Sequence, residues 1–357
     1  MRYLEADYQG NEILTARKGA LGLIALNRPR VLNSLSHDMV VDFGKALDAF
    51  EADPQVAAVL VTGEGERGLC AGGDIRMFYE SGKAGDGKAS AFLKAEYRLN
   101  ARIARYKKPY IVVMDGITMG GGVGVSSHGS HRIVTETTKL AMPETGIGFF
   151  PDIGASWLLS RAPGELGTWM GLTGEALNGA DAISAGFADW FVPQERIAEL
   201  LTAIAALPAP ALGQTIASTI RDHTVDGPTG LFCQGRQLID RCFAFDTVEE
   251  IVAALERETS ELAARTLAAI RAKSPTSLKV TLRMLLEARR SKNLETCLER
   301  EFAGTLQVVK VPDFYEGIRA AIIDKDRNPK WAPARIDGVP SPDVDAFFKA
   351  RGERLFS

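Results

Sequence analysis

Two carboxylates stand in the segment AMPETGIGFFPDIG at 141–154, Glu144 and Asp152, eight positions apart and flanked by Met142, Ile147, Phe149 and Phe150. Burial among such neighbours would raise the pKa of a carboxyl group, which is how an acid or base is poised near neutral pH. The same residues have a plainer reading, Glu144 as a carboxylate at a helix start after Pro143 and Asp152 as a turn or cap residue after Pro151. Spacing alone leaves both open. Two glycine-rich turns precede them, GLCAGGD at 68–74 and DGITMGGGVG at 115–124. Without a Cβ, backbone there can come close to a ligand.

Other familiar patterns fail at a residue their chemistry requires. The stretch 82–89 fits GxxxxGK but continues with Ala89 where a phosphate-binding loop needs Ser or Thr for magnesium, and no strand precedes it. Gly122, Gly124 and Ser127 miss the third glycine of a dinucleotide fingerprint. Ser126 has His128 where a nucleophile elbow carries its second glycine, and His128 and His131 have no third ligand at a recognised spacing. No metal site is expected.

These residues need a frame. Strand-like runs at Leu21 to Leu26, Val56 to Thr62 and Tyr110 to Met114 alternate with helical patterns, the first from Asp38 to Phe50 with Ser36 as its N-cap. The alternation predicts an α/β core. Segment 81–90 reads as an exposed loop before a helix around Phe92 to Tyr106. Beyond Val192 helical stretches dominate, notably Glu249 to Ile270 and Ser277 to Arg290, and the Pro-rich 207–212 is a plausible boundary. The expected division is a core at 1–195 and a mainly helical region at 196–357.

A formal net charge of -3 gives no overall attraction to nucleic acid or to an anionic membrane. No apolar run approaches the ~20 residues that cross a bilayer. Cys70, Cys233, Cys242 and Cys297 form no CxxC pair and read as reduced thiols. The opening MRYLEADYQGNEIL has neither a secretory apolar core nor an acid-poor import character. A soluble, cytoplasmic protein is expected.

Read in order, LNRPRVLNSLS (26–36), GLCAGGDIRMFYE (68–80), EYRLN (96–100), KPYIVVMDGITMGGGVGVSSHG (108–129), AMPETGIGFFPDIGASWLLSR (141–161), GLTGEALNGADAISAGFADWFVP (171–193), SPTSLKVT (274–281) and DFYEGIRAAIIDKDRNPKW (313–331) are similar to the crotonase (enoyl-CoA hydratase/isomerase) superfamily. Within it, the chain resembles the subgroup that hydrolyses 3-hydroxyisobutyryl-CoA. The resemblance implies a spiral core of repeated ββα units with a helical C-terminal region, and an acyl-CoA substrate. CoA would be part of that substrate rather than a resident cofactor, and terminal helices would make homo-oligomer contacts.

It also implies site residues. Backbone N–H groups of Ala71 and Gly121 would form an oxyanion hole for the thioester carbonyl. Glu144 would be the nucleophile or the base that activates water, Asp152 would orient the substrate hydroxyl or assist proton transfer, and Glu96 would contact substrate. Hydratases of this kind use two glutamates, one at the place of Glu144 and one three residues after the oxyanion-hole glycine, where this chain has Gly124. The loss of that acid points away from hydration of an enoyl-CoA and toward thioester hydrolysis in valine catabolism.

Overall fold

The computed structural model describes residues 3–228, 230–349 and 353–356, with side chains described at all of these except 210, 211, 214 and 231–234. Leu21–Leu26, Ala58–Gly63 and Tyr110–Met114 are buried at every position. Continuous apolar runs of this kind suit strands covered on both faces. They occupy the middle of a seven-stranded sheet whose spatial order is Gln9–Gly10, Ile13–Lys18, Leu21–Leu26, Ala58–Gly63, Tyr110–Met114, His131–Val134, Trp190–Phe191. The first two pairings are antiparallel and the remaining four parallel. A smaller sheet joins Gly68–Cys70, Ile117–Met119 and Lys139–Ala141.

The two sheets are built by a repeat. Ala58–Gly63 leads to Gly68–Cys70 and the helix Ile75–Ala84; Tyr110–Met114 leads to Ile117–Met119 and the short helix Gly121–Gly124; His131–Val134 leads to Lys139–Ala141 and the 3-10 turn Glu144–Ile147. Each repeat gives its first strand to the large sheet and its second to the small one. The α/β expectation with repeated ββα units holds. Every turn singled out for chemistry follows the second strand of a repeat.

The chain forms two compact units. One comprises Met1–Gly73, Leu99–Leu140 and Leu177–Gly230; the other comprises Asp74–Arg98, Ala141–Ala176 and Leu231–Ser357. In the first, Leu21, Leu23, Leu60, Ile111, Val113 and Ile133 pack with Ile197, Leu200, Leu201 and Ile204 in one buried cluster. The second is mainly helical. Side chains of Thr247, Ser260, Ser274 and Asn293 cap its helices by accepting from the backbone N–H three residues on, each such cap being worth about 1 kcal/mol.

Several expectations change. The division does not fall at 195, because 74–98 and 141–176 join the C-terminal helices while Leu212, Ile216 and Ile220 remain in the first core. The Pro-rich stretch therefore opens the helix Ala209–His223 rather than ending a domain. Segment 81–90 is only in part a loop. Its first four residues finish the helix Ile75–Ala84, Gly85 closes it at φ 65°, and Lys88–Ala104 begins soon after. Ser81 Oγ accepts from the Ala89 N–H at 2.9 Å and donates to Asp86 at 2.5 Å, which ties the connection down. The stretch 249–270 holds two helices, Val248–Glu256 and Glu261–Arg271, with Ser260 capping the second. Cys242 and Cys297 are free thiols, and Cys70 is buried like them; the Cys233 side chain lies outside the described residues.

Candidate active site

Glu96 belongs to the helix Lys88–Ala104, where Ala89, Phe92, Leu93, Glu96 and Tyr97 recur at helical spacing and are all buried. That periodicity puts Glu96 on the apolar stripe, not on a solvated face. Glu144 opens the 3-10 turn Glu144–Ile147 directly after Pro143, and Gly148 closes the turn at φ 71°. A Cβ on Gly148 would stand 2.2 Å from the Asp313 carbonyl oxygen, so both backbone sign and space exclude other residues there. Asp152 precedes Ile153 at φ 60° and Gly154 at φ 79°. The rings of Phe149 and Phe150 stack at 5.0 Å between the two acids in sequence, and Phe149 also meets Phe314 at 6.0 Å.

All three acids lie in the second unit and are removed from water: Glu96 is 3% exposed, Glu144 and Asp152 each 7%. Burial drives the Glu144 and Glu96 carboxyls well above their ordinary range, and the charge of Asp152 pushes both further the same way. Asp152 itself is raised to about 7 by burial, against the Tyr97 hydroxyl, which donates to Oδ2 at 2.5 Å and favours the ionised form. Among the described residues, Glu96 Oε1 and Glu144 Oε2 have no hydrogen-bond partner. Unpaired buried carboxyl oxygens are costly and are retained where chemistry needs them.

Three nearby groups carried no separate signal in the sequence. Tyr97 holds Asp152. Glu301, from the helix Leu294–Val308, accepts from the Gly154 N–H at 2.6 Å, the Ser156 N–H at 2.9 Å and the Ser156 hydroxyl. Burial raises it to about 8. Lys273 brings its ammonium to 3.5 Å from where a Cβ on Gly146 would be, and its charge pulls Glu144 downward. Burial in turn lowers the Lys273 pKa.

The glycine turns belong to the first unit. Gly68–Cys70 and Ile117–Met119 pair in parallel, which brings the following turns together. A Cβ on Gly122 would fall 2.3 Å from the Cys70 carbonyl oxygen, so glycine is required for that approach. Here one expectation is corrected. The Ala71 N–H donates to the Leu32 carbonyl at 3.0 Å and is not open to a ligand. Among the described residues no acceptor takes the N–H of Gly73, two positions on, or that of Gly121. These two are among the amides that this pair of turns leaves open.

The discarded patterns have structural roles. Ser126 Oγ donates to the Gly122 carbonyl at 2.7 Å, and His131 stacks on Trp190 with ring centres 5.5 Å apart. Among the described residues no three His, Cys, Asp or Glu side chains could hold a metal ion, and no helix is long and apolar enough to cross a membrane.

Buried carboxyl groups with raised pKa values, in a chain whose ββα repeats end in turns that leave amides open, define a class. The chain belongs to the enoyl-CoA hydratase/isomerase family, whose model matches residues 21–348. It is 40% identical over 348 residues to "3-hydroxyisobutyryl-CoA hydrolase, mitochondrial" of Rattus norvegicus, covering 96% of this chain and 90% of that one. The human protein of the same name is 40% identical over 346 residues, covering 96% and 89%. Among solved structures, a carnitinyl-CoA dehydratase from Mycobacterium thermoresistibile is 44% identical with a TM-score of 0.91, covering 97% of this chain and 98% of that one. An enoyl-CoA hydratase from Rhodobacter sphaeroides 2.4.1 is 40% identical with a TM-score of 0.86, covering 95% and 97%. The protein is therefore an enzyme of the crotonase superfamily.

The cytoplasmic expectation is overturned, since the curated relatives are mitochondrial. Its physical basis was too weak to carry it. Reduced cysteines and ordinary composition suit any thiol-reducing compartment and do not distinguish one from another.

Proposed function

We propose that the chain hydrolyses the thioester of a short branched 3-hydroxyacyl-CoA, 3-hydroxyisobutyryl-CoA in particular, to 3-hydroxyisobutyrate and free CoA, as a step of valine catabolism. The observation that carries this reading is the pairing of buried Glu144 and Asp152 in a chain with Gly124, buried and without a carboxylate, where hydration would need its second acid. The names of the curated relatives support the same substrate.

In this reaction an oxygen nucleophile adds to the thioester carbon and the carbonyl electron pair moves onto oxygen. Collapse of that oxyanion breaks the C–S bond, and the departing thiolate takes up a proton. One water is consumed for each acid and thiol produced. Glu144 delivers the oxygen, as its own carboxylate or through a water that it deprotonates, and its raised pKa makes its carboxylate a stronger base than an exposed glutamate. Open amides such as those of Gly73 and Gly121 stabilise an oxyanion by ~3 kcal/mol each when a carbonyl oxygen meets them. Asp152, about half ionised near pH 7, accepts a hydrogen bond from the 3-hydroxyl, and Glu96 contacts the acyl group.

The two similar structures, a carnitinyl-CoA dehydratase and an enoyl-CoA hydratase, favour a second reading, hydration or dehydration of an enoyl thioester. A thiol-trapping assay on 3-hydroxyisobutyryl-CoA, run beside absorbance of crotonyl-CoA, separates them. Release of free thiol without consumption of the enoyl band is expected; consumption of the band without thiol release refutes hydrolysis. Tight binding of CoA esters with neither reaction would make the chain a binding protein.

A further inference from the structure

The turn that follows Asp152 is held in a conformation its sequence does not favour. Ile153 adopts φ 60°, a left-handed backbone that a β-branched side chain rarely takes, and it is 1% exposed. Such a residue persists only where its surroundings over-determine it. Here the determinant is Glu301, fully buried, whose two oxygens accept from Gly154 N–H, Ser156 N–H and the Ser156 hydroxyl. All three bonds fall on the C-terminal side of Ile153, at Gly154 and at the start of the helix Ala155–Leu159. The Asp152 carbonyl closes the turn by accepting from Ala155 N–H at 2.8 Å.

The Asp152 side chain is fixed separately. Tyr97 is fully buried, its ring meets Phe302 edge-on with centres 6.2 Å apart, and its hydroxyl donates to Asp152 Oδ2 at 2.5 Å. Phe302 is the residue after Glu301, so one turn of the helix Leu294–Val308 supports both holds. With Oδ2 occupied, Oδ1 accepts no hydrogen bond from another described residue.

We propose that Tyr97 and Glu301 are positioning residues for Asp152, Tyr97 fixing one carboxylate oxygen and Glu301 locking the strained 153–156 turn, so that the other oxygen is presented to the 3-hydroxyl of the substrate. The inference deepens the hydrolase reading and rests on it. It makes the hydroxyl preference a property of three residues from three separate segments of the chain. A carboxylate displaced by about 1 Å loses about 10²-fold in the step it orients.

The test compares 3-hydroxyisobutyryl-CoA with isobutyryl-CoA, which differs only by the hydroxyl, in thiol release by the full-length protein and its Y97F and E301Q variants. Y97F keeps the ring packed and removes the donor, and it guards against a folding defect in E301Q. The ratio of kcat/KM for the two esters is expected to fall by about 10-fold or more in each variant. Equal losses on both esters, which a merely structural role would produce, overturn the proposal. A second arm needs no turnover: the Asp152 carboxyl, followed by ¹³C NMR, should titrate at higher pH in Y97F because a bond that favours its ionised form is gone. Unchanged titration also overturns the proposal. A wild-type protein that releases thiol from neither ester refutes the hydrolase reading itself, and the titration arm then decides the placement of Asp152 alone.

Discussion

Replacing Asp152 by Asn should make the protein more stable at alkaline pH, and the size of the effect can be worked from the site. Asp152 has its pKa raised from 3.8 to about 7 in the folded chain, with burial the leading cause. Below pH 3.8 the carboxyl is protonated in both folded and unfolded states. Between that point and pH 7 the unfolded chain has released its proton and the folded chain has not, so stability falls as pH rises. Each pH unit in this window is worth about 1.4 kcal/mol. From pH 5 to pH 9 the wild type should lose about 3 kcal/mol relative to Asp152→Asn, nearly all of it below pH 7.5. Removing the charge also relieves Glu96 and Glu144, which shifts the comparison in the same direction. Urea unfolding of both proteins at pH 5, 7 and 9 measures the difference directly. A gap between the two that stays constant within ~1 kcal/mol across this range would refute the reasoning, because it would mean that Asp152 ionises as easily folded as unfolded.

Other perturbations probe the remaining groups. Glu144→Gln should reduce thiol release by at least ~10²-fold while CoA-ester binding, followed by calorimetry, persists. Lys273→Met removes a positive charge that pulls Glu144 downward, so the acid limb of the kcat/KM profile should move to higher pH; an unmoved limb would mean that the limb does not report Glu144. Gly122→Ala should lower thermal stability by an amount equivalent to about 1–3 kcal/mol, since its Cβ would meet the Cys70 carbonyl at 2.3 Å. A variant as stable as wild type would show that the two turns can separate without penalty.

How far the sequence predicts this molecule depends on whether each cause is local. Leu21–Leu26 and Tyr110–Met114 were legible because a fully buried strand is a continuous apolar run. Glu144 and Asp152 stood out because carboxylates in an apolar segment are unusual there. Glu301 did not, since LEREF reads as a solvated helix. Its inward placement shows only when it is seen on one stripe with Leu294, Cys297, Leu298 and Phe302, all of which are buried. The assignment of Ala71 rests on motif resemblance alone. What overturns it is the carbonyl of Leu32, far upstream, which takes the Ala71 amide and leaves no trace near residue 71. The divided units escaped the sequence for a similar reason: a boundary in space need not be a boundary in the chain.

The second unit draws together 74–98, 141–176 and 231–357, and that has a consequence for the newly made polypeptide. Ribosomal synthesis at about 5–20 residues per second separates the emergence of Asp152 from that of Glu301 by roughly 7 to 30 s. Throughout that interval the second unit lacks the helix that carries Glu301, and with it part of the packing that buries the acids. The second unit is therefore completed only as 231–357 emerges, and a chain released early would carry these acids without the helices that bury them.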